Sequence, residues 1–260
     1  MNFRAFSSSA RRAMQIVPVP VRADNYAYLL IDEASKKAAA VDPFDVPTVV
    51  AAAERLGEYL VSNVSSCGDY YAHHLDHSGG NKRQDTALTK LVKDKDEFKI
   101  GDINIKCLAT PCHTQDSICY HVTDAVGRKH PGGVFTGDTL FIGGCGRFFE
   151  GVGAEMDAAL TYLGTLPDKT LVYNGHEYTQ GNVAFGKTVE PENKAVGKLE
   201  ELARTNEITT GMTTIGDEKE WNVFMRLGST AVRNSVNATA DTPTNEVMDA
   251  LRAKKDNFRG

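Results

Sequence analysis

The chain has 260 residues, of which 41% are hydrophobic, and it carries a net charge of -5 at pH 7. This length can bury one large core or two joined domains, and the net negative charge argues against a nucleic-acid partner. No window of about 20 consecutive apolar residues is present, so the sequence predicts no membrane-spanning helix. The five cysteines include no Cys-x-x-Cys pair, which favours a reducing compartment over a disulfide framework.

The N-terminus has the composition of a targeting segment. Residues 1–13 contain three arginines and three serines, and the first acidic residue of the chain is Asp24. This composition is typical of a mitochondrial transit peptide, so we expect a mitochondrial matrix location, with the cytoplasm as the alternative.

Apolar periodicity and turn residues predict the elements that follow. Strands are expected over residues 15–21, 26–31, 103–109, 133–137 and 170–175, and a hairpin with a Gly-Asp turn over residues 99–103. Helices are expected over residues 46–56, where Pro47 favours a start, and over residues 154–163, 191–204 and 242–255.

A histidine-rich run lies at residues 72–81. Its residues His74, Asp76 and His77 place three potential metal ligands within four positions. The run nearly matches the pattern His-x-His-x-Asp-His, but Ala72 occupies the position of the first histidine. Asp76 taken alone could instead cap a helix, although that reading does not explain the neighbouring imidazoles.

Three further potential ligands each follow a predicted strand. His113, Asp138 and His176 come directly after strand-like runs that end in Pro or Gly, so we expect them at one edge of a sheet. Zinc and similar cations bind neutral imidazole nitrogen and carboxylate oxygen. Two such ions about 3.5 to 4 Å apart can share a bridging carboxylate and a bridging hydroxide. The pattern therefore predicts a two-metal hydrolytic site.

Several longer motifs resemble the metallo-β-lactamase superfamily and, within it, the hydroxyacylglutathione hydrolases known as glyoxalase II. The motifs are Cys-Leu-Ala-Thr-Pro-Cys-His-Thr at 107–114, Phe-Thr-Gly-Asp-Thr-Leu-Phe at 135–141, Gly-Cys-Gly-Arg-Phe at 144–148, Gly-His-Glu-Tyr-Thr at 175–179 and Lys-Asp-Asn-Phe at 255–258. The resemblance implies an α/β fold, a metallo-β-lactamase-type αββα sandwich followed by a C-terminal helical domain. We expect the metal-binding domain over residues 14–180 and the glutathione-binding domain over residues 181–260.

The resemblance also implies a ligand set and an activity. One metal would bind His74 and His113, a second would bind Asp76, His77 and His176, and Asp138 would bridge them, with Asp76 and Asp138 as the catalytic carboxylates. The reaction is hydrolysis of S-(2-hydroxyacyl)glutathione thioesters, with D-lactate the usual acid. The expected cofactors are two divalent metal ions, zinc first, with iron or manganese as alternatives. The expected partner is the small-molecule substrate, bound by a monomer.

Departures from the family pattern cluster near the first metal site. Besides Ala72, they include Tyr70, Tyr71, Asp116 and Ser117, and a shortened stretch over residues 82–98. Loss of a ligand is expected to cost at least 10- to 100-fold in affinity or activity. We interpret the cluster either as the mark of a catalytically impaired member of the family or as a local error in the gene model. A mononuclear-iron sulfur dioxygenase of the same superfamily is a third hypothesis.

Substrate-binding residues are expected near the C-terminus. Arg252 and Lys255 lie three residues apart on a predicted helix face, and a guanidinium with an ammonium can bind the two carboxylates of glutathione. The resemblance adds Tyr178 and Arg147, whereas Phe149 replaces a usual tyrosine. The alternative for Arg252 and Lys255 is a solvated, basic helix end.

Overall fold

The computed structural model describes residues 14–66, 92–124 and 130–259. The expected targeting segment 1–13 and the histidine-rich run at 72–81 lie outside the described residues. Of the helices in the described part of the chain, none has the length and apolar character needed to cross a bilayer.

The N-terminal half of the fold is a four-stranded sheet, in the order β1-β2-β3-β4, with one helix packed on its outer face. Its elements are β1 (Met14–Val21), β2 (Asn25–Asp32), β3 (Lys37–Val41), α1 (Val46–Leu56) and β4 (Tyr59–Val64). Asp45 caps α1 by accepting a hydrogen bond from Thr48 N, and the left-handed Gly57 ends it.

A second sheet has five strands in the order β11-β8-β7-β6-β5. Its strands are β5 (Glu97–Ile100), β6 (Ile103–Ala109), β7 (Ile118–Asp124), β8 (Gly133–Gly137) and β11 (Leu171–Asn174), and a short hairpin of β9 (Leu140–Phe141) and β10 (Gly144–Cys145) follows β8. Strand β7 is antiparallel to both β6 and β8, and β8 is parallel to β11. Strands β6, β8 and β11 therefore run in the same direction, and their C-terminal ends meet at one edge.

Side chains that alternate along the strands divide the interior into layers. On β2, Leu29 belongs to the cluster that packs against α1, whereas Tyr28 and Leu30 belong to the cluster between the two sheets. On β8, Phe135 faces the first sheet, and Val134 belongs to the cluster formed with the C-terminal helices. This period of two buries both faces of each sheet. The order helix, sheet, sheet, helix is the predicted αββα sandwich.

Helices of the C-terminal region cover the outer face of the second sheet. They are α2 (Gly153–Gly164), α3 (Thr179–Val189), α4 (Lys194–Thr205), α5 (Ile215–Trp221), α6 (Thr230–Ser235) and α7 (Thr244–Asp256), with a 3-10 turn at Val223–Met225. Buried side chains of α2 and α7 share one hydrophobic cluster with Val134 and Val172 of the sheet. A continuous core thus joins the sheet to the helices that follow it.

Two predicted helices begin later than the sequence suggested. Helix α4 begins at Lys194 instead of Pro191, because Asn193 is the N-cap and its side chain accepts a hydrogen bond from Ala195 N. Helix α7 begins at Thr244 instead of Thr242, with Pro243 at the cap position. The other predicted strands and helices agree with the structure to within one or two residues at each end.

Candidate active site

Three strand ends of the second sheet bring His113, Asp138 and His176 together. His113 follows β6 after residues 110–112, Asp138 comes directly after Gly137 at the end of β8, and His176 follows β11 after Gly175. The Nε2 atoms of His113 and His176 lie 3.4 and 3.3 Å from the same Asp138 oxygen, Oδ2. The position before Asp138 needs a glycine, because Gly137 has a positive φ of 46° and a Cβ there would lie 2.1 Å from Ser66 Oγ. The structure thus brings together the three residues that the strand pattern selected.

The second nitrogen of each imidazole is also engaged. His113 Nδ1 donates to the carbonyl oxygen of Arg147 at 2.9 Å, and His176 Nδ1 donates to Asp24 Oδ1 at 3.1 Å. A neutral imidazole that donates from Nδ1 presents an unprotonated Nε2. Both Nε2 atoms therefore face the same carboxylate oxygen, an arrangement that a cation between them, either a metal ion or a proton on a ring, stabilises. Metal-binding histidines have this pattern of a backbone carbonyl or carboxylate on the second nitrogen.

The pKa values of His113, Asp138 and His176 reflect how close these three side chains lie to one another. Burial lowers the pKa of His113 and of His176, but the Asp138 carboxylate outweighs burial and the pKa of each lies above its usual value. Burial acts to raise the pKa of Asp138, yet its two imidazole partners hold that pKa at about 2. Asp138 is therefore a carboxylate at neutral pH, the form that binds a metal.

The remaining expected ligands His74, Asp76 and His77, together with Ala72, lie outside the described residues. Within residues 14–66, 92–124 and 130–259, no group of three or more His, Cys, Asp or Glu side chains is complete enough to hold a metal on its own. The chain leaves the described residues after Ser66, which packs against Gly137 beside Asp138. Asp42 fixes this point by accepting hydrogen bonds from Ser66 N and Oγ at 2.6 and 2.8 Å.

Aromatic rings flank the two histidines. Tyr178 stacks on His176 with ring centroids 4.7 Å apart, and Phe141 packs edge-on against both rings. The ring of Phe149 lies 4.9 Å from that of His113 and is 67% exposed. These rings limit how far each imidazole can turn, and they form part of the cleft wall.

A cleft of about 850 Å³ extends from these histidines to the end of α7. Its volume lies within the range of small-molecule sites. Basic side chains line its wall, namely Arg147, Arg252, Lys255 and Arg259. The cleft therefore has potential metal ligands at one end and a group of cations along the other.

The two basic residues predicted on one helix face line this same cleft. Arg252 is 7% exposed, and its Nη1 donates to the carbonyl oxygen of Cys145 at 3.2 Å. Lys255 Nζ donates to the carbonyl oxygen of Gly181 at 2.8 Å. Burial, followed by the charge of Arg252, lowers the pKa of Lys255 to about 8. Arg252 is thus buried and Lys255 half-buried, a placement that favours a role in the cleft over a solvated, basic helix end.

Several residues of the site were not predicted from the sequence. Asp24 and Asn25 contact His176 across about 150 positions, with Asn25 Nδ2 lying 3.3 Å from His176 Nε2. Glu177 accepts hydrogen bonds from Tyr26 and from Thr209 and thereby fixes the segment after His176. The only local signal was an acidic residue in the turn before a predicted strand, which is too common to single out Asp24.

Comparisons with known proteins agree with this geometry. In fold, the chain resembles a metallo-β-lactamase crystal structure from Staphylococcus aureus with a TM-score of 0.61 and 19% sequence identity, covering 94% of this chain and 71% of that one. It is 41% identical to a Schizosaccharomyces pombe protein named "Probable hydroxyacylglutathione hydrolase glo2", over 89% of this chain and 93% of that protein.

Two Saccharomyces cerevisiae proteins are similar as well. The cytoplasmic isozyme of hydroxyacylglutathione hydrolase is 37% identical over 93% of this chain and 99% of its own length, and the mitochondrial enzyme is 36% identical over 94% and 96%. The family profile described as hydroxyacylglutathione hydrolase C-terminus matches residues 177–258. The fold is thus that of the metallo-β-lactamase superfamily. Within it, the chain belongs to the hydroxyacylglutathione hydrolases, the glyoxalase II family, as the motifs predicted.

Proposed function

We propose that this protein hydrolyses S-(2-hydroxyacyl)glutathione thioesters, releasing a 2-hydroxy acid such as D-lactate and glutathione. The proposal rests chiefly on the convergence of His113, Asp138 and His176 at the end of a cleft whose wall carries Arg252 and Lys255. The relatives named as hydroxyacylglutathione hydrolases support the same substrate class.

The donor set suits two divalent metal ions, for which we propose zinc, with iron or manganese as alternatives. His74 and His113 would hold the first ion, Asp76, His77 and His176 the second, and Asp138 would bridge them. Imidazole nitrogen and carboxylate oxygen are ligands that zinc accepts. Bound metal ions would supply the nucleophile by lowering the pKa of water from about 15.7 to about 7, and would polarise the thioester carbonyl.

Groups of the protein itself orient the histidine ligands and bind the substrate. The Arg147 carbonyl oxygen and the Asp24 carboxylate hold the two imidazoles with Nε2 toward Asp138. Arg252 and Lys255, with Arg147 and Tyr178 nearer the thioester, would bind the glutathione part. Because a thiol with a pKa near 8.5 leaves readily as the thiolate, no strong general acid is required.

Ala72 bears on how well this site works. With Ala72 in place of a histidine, the first ion would have His74, His113, Asp138 and a water-derived ligand, which still amount to four. We propose a working enzyme in which the first metal ion is bound less tightly. The second candidate is a relative that binds one metal ion and glutathione conjugates without appreciable turnover. The lack of a histidine at Ala72 is the observation that supports this second candidate. The dioxygenase reading is not favoured, because the relatives at 36 to 41% identity are named as hydrolases.

We also propose a cellular location and a domain organisation for the protein. We propose residues 1–13 as a mitochondrial transit segment, although a cytoplasmic relative is as similar as the mitochondrial one. We further propose a metal-binding domain over residues 14–180, a glutathione-binding domain over residues 181–260, and a monomer that acts on a small molecule without nucleic-acid or membrane partners.

The test is hydrolysis of S-D-lactoylglutathione by the purified, metal-loaded chain. Turnover that His176→Ala abolishes and His130→Ala retains would support the proposal, since His130 lies outside the cleft. One metal per chain without turnover would favour the binding protein, and iron with oxygen consumption would favour the dioxygenase. Absence of hydrolysis in the wild type with two metals bound would contradict the proposed function.

A further inference from the structure

Asp256 carries the only acidic side chain that pairs with the cleft cations Arg147 and Arg252 in the described part of the chain. Its Oδ1 atom accepts hydrogen bonds from Arg252 Nη2 at 2.7 Å and from Arg252 Nε at 3.1 Å. The same oxygen lies 3.6 Å from Arg147 Nε. One carboxylate oxygen thus joins a guanidinium of helix α7 to a guanidinium of the loop that follows β10.

The stability of α7 does not account for this carboxylate. Asp256 is the last residue of the helix, where the partial negative charge of the helix dipole disfavours an acidic side chain. Its side chain is 41% exposed and that of Arg252 is 9% exposed, so water partly screens the ion pair, and pairs four residues apart add little to the stability of a helix by themselves. Its position in the cleft wall gives it a different role.

Asp256 also acts on the charge of the adjacent Lys255. The charged or titratable groups that act on the Lys255 ammonium are Arg252, Cys145 and Asp256, and Arg147, Glu207 and Arg259 line the same cleft. Burial and the charge of Arg252 lower the pKa of Lys255, whereas Cys145 and Asp256 raise it. Because burial holds Cys145 itself as a neutral thiol, Asp256 supplies the negative charge that favours the protonated form of this lysine.

We propose that Asp256 is a positioning residue for the anion-binding part of the cleft, where its carboxylate orders the Arg252 guanidinium beside Arg147 and Lys255. A substrate with carboxylates then meets an ordered and charged pair of cations. This inference rests on the proposed function, because it assigns the pair to the carboxylates of a glutathione thioester. The Asp256 carboxylate pairs with Arg252 and Arg147, so it should affect substrate binding more than the chemical step.

The test compares Asp256→Asn with the wild type in the hydrolysis of S-D-lactoylglutathione between about pH 6.5 and about pH 8.5. At the lower pH, the KM should rise about threefold through loss of the ion pair. At the upper pH, it should rise by a larger factor than at the lower pH, because the Lys255 pKa then falls below its present value of about 8. The kcat should change less than twofold, Asp256→Glu should restore much of the KM, and Asp241→Asn should have no effect.

A second variant separates electrostatics from structure. In Lys255→Arg the side chain stays charged throughout this pH range, so its KM should lose the alkaline rise of the wild type, and adding Asp256→Asn should raise KM by the same factor at every pH. An unchanged or lower KM in Asp256→Asn, or a rise that does not depend on pH, would overturn the inference alone. A wild type that neither hydrolyses the thioester nor binds glutathione would instead overturn the proposed function.

Discussion

Asp24 and His176 are separated by 152 positions, yet Asp24 Oδ1 lies 3.1 Å from His176 Nδ1. The carboxylate accepts a hydrogen bond from one imidazole nitrogen and leaves the other directed at Asp138. In metal sites such a carboxylate fixes the tautomer of the ligand and makes it a stronger base. The first turn of the chain after β1 therefore bears directly on the candidate metal site.

Substitution of Asp24 tests this relationship. Asp24→Asn can still contact the ring but cannot accept with a charged oxygen, so we expect a loss of about 10- to 100-fold in metal affinity or activity. Metal titration followed by the thioesterase assay measures both quantities. Asp241→Asn, at an exposed site outside the cleft, is the control. Wild-type metal affinity in Asp24→Asn would show that the hydrogen bond does not tune the ligand.

Restoration of the missing histidine tests the weakened first site. We expect Ala72→His to raise activity at least tenfold, about the effect of regaining a lost metal contact. Ala72→Leu is a control for side-chain volume and should give no gain. An unchanged rate in Ala72→His would mean that neighbouring differences such as Tyr70 and Tyr71 limit the enzyme.

Phe149 offers a test of substrate recognition. Its ring is exposed beside His113 and lines the cleft, but it lacks the hydroxyl usual in the family. A neutral hydrogen bond contributes about 0.5–1.5 kcal/mol. Phe149→Tyr should therefore lower the KM for S-D-lactoylglutathione by about two- to tenfold, with kcat nearly unchanged. Steady-state kinetics that give the same KM for both proteins would exclude a contact at this position.

Glu218 makes a prediction about stability and pH. It is fully buried, and its oxygens accept hydrogen bonds from Gly143 N at 2.8 Å, Trp221 Nε1 at 3.1 Å and Asn222 Nδ2 at 3.0 Å. These bonds hold the turn between β9 and β10 against α5. Burial raises the pKa of Glu218 from 4.5 to about 7 despite these donors. The folded state thus binds this proton more tightly than the unfolded state does.

The sign of the pH effect follows from this raised pKa. The stabilising contribution of Glu218 is fully present below about pH 4.5 and is lost as the pH rises through about 7, by roughly 3 kcal/mol in total. Glu218→Gln lacks this dependence on pH. It should lower the free energy of unfolding by about 1–3 kcal/mol at low pH, because the NH2 group of the glutamine would face a group that donates a hydrogen bond to Glu218. Urea unfolding should show the difference from wild type shrinking as the pH rises. Parallel pH profiles for the two proteins would contradict this account, and Glu246→Gln, on the exposed face of α7, is the control.

Secondary structure was predicted best from the sequence where a single periodicity of apolar residues dominated. The strands at 103–109 and 133–137 alternate or are short apolar runs, and the potential ligands His113 and Asp138 that follow them lie together at one edge of the sheet. Strand β3, with Ala38 to Ala40 buried on both faces, lacks that alternation and was not predicted. Helix α3 was also missed, because its glycines at 181 and 186 and several β-branched residues weaken the helical signal.

The site residues also fall into those that the sequence predicts and those that it does not. Ligand-type residues at strand ends can be predicted, because spacing and residue type are local. The partners Asp24 and Asp256 could not be, because each depends on which distant groups the fold places beside it. Electrostatic neighbours of this kind are determined by tertiary packing alone.

The metal content of the wild type beside that of Asp138→Ala tests whether His113, Asp138 and His176 hold metal together. We expect about two divalent ions per chain in the wild type. The folded variant should lose at least one of these ions and should also lose thioester hydrolysis. Equal metal content in both proteins, or a metal-free wild type that still hydrolyses S-D-lactoylglutathione, would contradict this expectation.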